Sequence, residues 1–161
     1  MSFKLLYQDL KSLHDYKMKN CVGFNSFFLD TFKNIIFCPP VWFLIIFRIG
    51  QLINKIPLLK TLYLLFIWRP LTLITGIEIY PETKVGGGLV LPHFGQIFIN
   101  PRAIIGKNCI IYHSVTIGTN FISNGFPVIG DNVMIGAGAK IIGPVKIEDN
   151  SKINANKVIS K

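Results

Sequence analysis

The chain has 161 residues, half of them hydrophobic, with three cysteines and a formal charge of +9. Cys21, Cys38 and Cys109 are odd in number and widely spaced, which excludes a disulfide framework and a paired-cysteine zinc site. The charge favours anionic partners such as phospholipid or a phosphate-bearing cofactor, while the lack of a dense Lys/Arg run or recognition motif argues against nucleic acid.

A mean hydropathy of +0.47 is high for a chain alone in water, so an oligomer or a membrane is expected to cover apolar surface. The first twenty residues mix both charges with apolar side chains and contain no signal-peptide core, which fits a cytoplasmic location. From Leu5 to Leu13 the apolar residues fall at helical spacing. The uncharged stretch from Asn34 to Phe47 has 14 residues and is interrupted by Pro39 and Pro40, too short for a comfortable membrane span. Beyond the prolines, Arg48, Gln51 and Asn54/Lys55 share one helical stripe, and a further helix is predicted from Pro57 to Trp68. Residues 1–74 therefore read as an α-helical, apolar and basic region. Two readings stay open for it. Its helices are buried against sister chains, or residues 35–70 rest on the inner face of the cell membrane with Trp42, Trp68, Lys55, Lys60 and Arg69 at headgroup depth.

From Gly76 the rhythm changes, and residues 75–161 read as a second unit. Ile99, Ile105, Ile111, Ile117, Ile129, Ile135, Ile141, Ile147, Ile153 and Ile159 recur at intervals of six, with one gap inside "TNFISNGFP". Small or β-branched residues such as Ala103, Cys109, Val115 and Val133 stand two places earlier. Neither an α-helix nor a simple strand repeats at six; a coiled β-solenoid does, with each isoleucine above its counterpart. An earlier register of Ile79, Val85, Leu91 and Ile97 is offset by two, so a two-residue slip lies near "PHFGQIFIN". His93 sits beside that slip. Two places after the inward Leu91, it should point away from the core, and His113 should stack on the same ridge one coil later.

The hexad repeat resembles the hexapeptide-repeat acyltransferases, and "GIEIYP", "LPH" and "IGAGAKIIG" look like the serine O-acetyltransferase branch, which includes enzymes of capsule and other surface polysaccharides. The resemblance implies a mainly β fold, a left-handed parallel β-helix with an N-terminal helical region. It also implies a homotrimer, acetyl-CoA as co-substrate and no metal. His93 matches the family's catalytic histidine, although Pro92 replaces the preceding aspartate. Glu78, fifteen residues earlier, stands where the family carries an aspartate. Thr119, Ala137 and Ala155 fall where the family packs backbone and small side chains on coenzyme A, and Lys152 where a basic residue can approach it.

The implied chemistry is direct acyl transfer. An imidazole titrates in the range a base at neutral pH requires, so His93 would take the acceptor's hydroxyl proton while Glu78 holds the other nitrogen. No cysteine is placed for an acyl-enzyme. His113 is an exposed polar residue or a contact to the acceptor. One departure bears on substrate: where serine-acetylating enzymes carry an Arg-His pair, this chain has Gly125 and Phe126. The expected acceptor is accordingly a sugar hydroxyl of a surface polysaccharide or lipid-linked glycan precursor, with Phe126 stacking on the sugar. The rivals are serine acetylation and a non-catalytic trimeric scaffold. A zinc-dependent solenoid enzyme would need three converging histidines, and this chain has only His14, His93 and His113.

Overall fold

The computed structural model describes residues 2–20, 38–120 and 124–161. Cys21, the stretch before Cys38 and the tip of the Thr119–Pro127 segment lie outside the described residues.

The hexads build a triangular stack of parallel strands. The first sheet stacks Ile77–Ile79, Ile97–Ile99, Thr116–Gly118, Lys140–Ile142 and Val158–Ser160. Lys84–Val85, Ile104–Ile105, Val128–Ile129 and Lys146–Ile147 form the second, and Ile110–Ile111, Met134–Ile135 and Lys152–Ile153 the third. Register places like on like: Ile99 pairs with Ile117, Ile117 with Ile141, and Ile141 with Ile159. The hexad isoleucines from Ile99 to Ile147 are buried, as are Ala103, Cys109, Val115, Val133, Ala139 and Val145. The small residue at each corner leaves room for the isoleucine of the next face. This is the β-helix the period demanded, about four coils high.

Two coils depart from the regular length. Ile77 pairs with Ile97 and Val90 with Ile110, both offset by twenty, whereas Ile99 pairs with Ile117 at the regular eighteen, so two extra residues lie between Val90 and Ile97. The slip therefore lies where the register predicts it. The other long coil carries the Thr119–Pro127 segment, since Ile105 pairs with Ile129 across it.

The helical region runs further than its periodicity suggests. The first helix spans Ser2–Asn20, the next Pro39–Ile53 with both prolines in its first turn, where no amide partner is needed. From Pro57 the chain stays helical to Thr75, past the predicted end at Trp68. Pro70 should break it, because its ring crowds the carbonyl four residues back and it has no N–H. A π turn at Leu64–Trp68 widens the helix there, with the Arg69 N–H reaching the Leu64 carbonyl. Gly76, in the left-handed conformation (φ 64°), ends the helix and starts the first strand.

Phe43, Leu44, Phe47 and Leu71 join the same core as the solenoid isoleucines, so these helices plug the base of the prism. Trp68, placed at headgroup depth by one of the two readings, and Arg48 of the polar stripe both belong to the interior. Trp68 is 0% exposed, its ring 4.5 Å from that of Tyr80, so it cannot reach a headgroup layer. Arg48 is also buried: Nε lies 2.8 Å from the Asp9 carboxylate, and the guanidinium donates to the Val85 and Gly86 carbonyls. Asp9 in turn accepts the Gly88 and Leu89 N–H groups. Every charge in this knot is met, which is the condition for burying it.

Candidate active site

The corner between the third and first sheets carries the histidines. His113 lies above His93, ring centroids 5.7 Å apart and edge to face. Pairing of Ile111 with Ile135 and of Ile135 with Ile153 continues the same ridge through Ala137 and Ala155. The backbone repeats as well: the Gly138 N–H donates to the His113 carbonyl and the Asn156 N–H to the Ala137 carbonyl. Four of the predicted site residues thus fall into one column, two imidazoles followed by two small side chains.

The extra pair is Phe94 and Gly95, directly after His93. Each coil turns this corner on a left-handed residue: Gln96 (φ 54°), Ser114 (φ 59°), Gly138 (φ 75°) and Asn156 (φ 57°). Counting back from Gln96 reaches His93 only across the two inserted residues. The insertion bulges outward; Gly95 has φ 106° with open space on its Cβ side, and Phe94 is exposed. The base of the bulge is pinned. Ile97 N–H donates to the Gly76 carbonyl at 3.0 Å, Ser114 N–H to the Gly95 carbonyl at 3.1 Å, and Lys140 Nζ to the Ser114 carbonyl at 2.8 Å. His93 is exposed on a corner whose two feet are fixed.

Tyr112 flanks the imidazole, its ring centroid 6.1 Å away, and shares a 2.8 Å hydroxyl–hydroxyl hydrogen bond with Tyr16 of the first helix. Tyr16 and Tyr112 also line one end of a groove of about 580 Å³ that runs over the third sheet beside Asp15, Lys19 and Asn108. Neither tyrosine falls on the inward hexad positions or carries a motif of its own. The one signal for Tyr112 is its place directly before His113 on the ridge.

Glu78 lies on the first sheet, its register partner Phe98. Its carboxylate accepts the Tyr80 hydroxyl at 2.7 Å and makes no hydrogen bond to His93. Glu78 and Tyr80 are two apart on a strand and so share a face. Burial, and then the Glu78 carboxylate beside it, push the Tyr80 hydroxyl's pKa up, keeping it a donor. Trp68 packs on Tyr80, so the helical region reaches Glu78 through one intermediary. Lys152 is exposed on the third sheet. Thr119 follows the strand Thr116–Gly118 and sits across the first sheet from the histidines.

Phe126 belongs to a different corner, between the first and second sheets. The Arg102 guanidinium lies over its ring, 5.3 Å from the centroid. The pairing of Ile104 with Val128 explains the encounter, because the two coils stack with Arg102 under Phe126. No carboxylate among the described residues pairs with Arg102. Cys109 is buried, donates to the Gly130 carbonyl, and burial raises its thiol from 9.0 to about 11. It is not a nucleophile at neutral pH.

The stacked hexads and the histidine ridge define a hexapeptide-repeat transferase, and residues 126–161 match the family model "Bacterial transferase hexapeptide (six repeats)". The chain is 36% identical over 127 residues to the serine acetyltransferase of Helicobacter pylori, covering 75% of this chain and 71% of that one. It is 40% identical over 91 residues to the serine acetyltransferase of Mycobacterium tuberculosis, of whose length it spans only 40%. The crystal structure of Neisseria gonorrhoeae serine acetyltransferase in complex with serine superposes with a TM-score of 0.81 at 28% identity, over 99% of this chain and 63% of that one. The chain belongs to the serine acetyltransferase family.

These relatives overturn the sugar acceptor expected from Gly125 and Phe126, and with it the assignment to capsule or other polysaccharide synthesis. The physical reason is visible at Phe126. The Arg102 guanidinium lies over one face of its ring, the kind of surface the sugar reading required for stacking.

Proposed function

We propose that the chain is an acyltransferase that moves the acetyl group of acetyl-CoA to the hydroxyl of serine. The observation that carries this reading is the swollen corner: an exposed imidazole at a pinned two-residue bulge, in a chain 36% identical to a named serine acetyltransferase. His93 takes the hydroxyl proton as the serine oxygen bonds to the thioester carbonyl carbon; the carbon–sulfur bond then breaks, and the proton passes to sulfur. Glu78 is the positioning carboxylate in this reading, and to reach the imidazole it has to exchange the hydrogen bond it accepts from Tyr80. The small side chains of Ala137 and Ala155 leave the ridge open to a slim thioester arm, and Lys152 offers a cation to its phosphates.

The serine carboxylate needs a cation, and the Arg-His pair of the family is absent. Arg102 replaces it in space, held over Phe126 one coil below the missing pair. Arg102 and His93 occupy different corners of one chain, so the complete site forms between neighbouring chains of a homotrimer. A thiol-release assay with acetyl-CoA tests this. Serine should be acetylated and free sugars should not. Arg102→Ala should raise KM for serine about tenfold to a hundredfold with a smaller effect on kcat. Mixing the inactive His93→Ala chain with Arg102→Ala chains should restore part of the activity, because some interfaces then carry both groups. Turnover of sugars but not serine, or an unchanged KM, rejects the reading.

A further inference from the structure

We infer that the outer face of the Pro57–Thr75 segment docks in the plane of an anionic phospholipid surface. The inference goes beyond the serine reading and stands or falls separately from it. The segment is a 19-residue helical stretch, apolar enough to cross a membrane by length and composition. Its inner face does not leave the protein: Tyr63, Trp68, Leu71 and Thr75 are buried against the solenoid base and the neighbouring helix. A spanning orientation would strip that packing away. The outer face is apolar as well, with Leu58, Leu62, Leu65, Phe66, Leu73 and Ile74 all exposed, Leu73 at 85%. A helix apolar on every side is normally covered on every side.

Charge selects the cover. From Cys38 to Ile77 there is no aspartate or glutamate, whereas Arg48, Lys55, Lys60 and Arg69 are all basic. Arg48 is used internally by Asp9, and Lys60 pairs with Glu82. Lys55 and Arg69 remain exposed beside the apolar face, Arg69 with its guanidinium over Trp68. A second copy presenting the same face would set cation against cation. Anionic headgroups answer those charges, and the acyl boundary receives the leucines. At about 1.5 Å per residue the face is roughly 28 Å long, enough to lie in the interface as a single element. The π turn at Leu64–Trp68 keeps Leu65, Phe66 and Ile67 exposed together at its centre.

Vesicle flotation of the purified full chain tests the inference. Vesicles of phosphatidylcholine with about one quarter phosphatidylglycerol should carry the protein, and pure phosphatidylcholine should carry at least about fivefold less. Leu62→Glu with Phe66→Glu should lower partition into the anionic vesicles more than about tenfold, with the oligomeric state by light scattering and the circular dichroism unchanged. Lys55→Gln with Arg69→Gln should weaken it by a smaller factor and remove most of its salt dependence. Wild-type protein that stays in the aqueous fraction overturns the inference. So does equal binding to neutral vesicles, or a double glutamate variant that alters the oligomer while vesicle binding is unmoved; the last result would make this face a subunit contact. Serine acetylation measured on the same preparations keeps the two readings distinguishable.

Discussion

Two corners of the same prism obey the same backbone rule and use it differently. Between the second and third sheets, the left-handed positions are Gly88, Asn108, Asn132 and Asn150, and their side chains form a ladder: Asn108 Nδ2 donates to Asn132 Oδ1, and Asn132 Nδ2 to Asn150 Oδ1. Asparagine tolerates that conformation, and its amide can bond the coils above and below. Gly88 completes the column without a side chain, and Asp9 from the first helix supplies the acceptor there. At the histidine corner the left-handed residues are Gln96, Ser114, Gly138 and Asn156; a single rung forms there, Ser114 Oγ donating to Gln96 Oε1 at 3.2 Å, and Gly138, with no side chain, carries it no further. Its first coil carries two extra residues instead. One corner is uniform and bonded from coil to coil, while the other breaks its uniformity at the bulge that leaves His93 exposed.

That contrast can be broken in order of effect. Deleting Phe94 and Gly95 converts the swollen corner into a regular one. The β-helix should survive with unchanged circular dichroism while kcat falls more than a hundredfold, because His93 is drawn from its position relative to the substrates. Asp9→Ala acts on the other corner, leaving Arg48 buried without its partner. Chemical denaturation should show a loss of about 3–5 kcal/mol, with kcat nearly unchanged in the protein that remains folded. Asn132→Ala removes the middle rung and puts an alanine at positive φ, which should lower stability by roughly 1–2 kcal/mol with no kinetic effect.

An effect seen only at alkaline pH lies in the core behind that ladder. The Cys109 thiol is raised from 9.0 to about 11 when folded, so between those values the unfolded chain loses a proton that the native one keeps. Stability should therefore fall as pH rises from about 9 towards 11, and this slope should be shallower in Cys109→Ala.

The hexad isoleucines made the solenoid legible because a coil repeats one inward residue per face, and no other element shares that period. The slip was legible for the same reason, since two registers of one repeat cannot both be continuous. His93 and His113 followed, being equal distances from inward residues. What escaped the sequence were contacts between positions with no periodic relation. Asp9 meets Arg48 across two helices, so a predicted polar stripe became an internal knot. Arg102 meets Phe126 only because an inserted segment lengthens the intervening coil. Tyr80 holds Glu78, a contact that the family resemblance, which pairs Glu78 with His93, does not reveal. Trp68 looked like an interface anchor because apolar helices read alike whether protein or lipid covers them.

The central claim is that His93, held out by its bulge, is the base of acetyl transfer to serine. Steady-state thiol release by His93→Ala, measured beside its thermal unfolding, tests it most directly. The account predicts a kcat about a thousandfold below wild type, within the range a positioned base supplies, and an unfolding midpoint within a degree or two of it. A variant that turns over serine at the wild-type rate, or a wild-type chain with no turnover to lose, would contradict it.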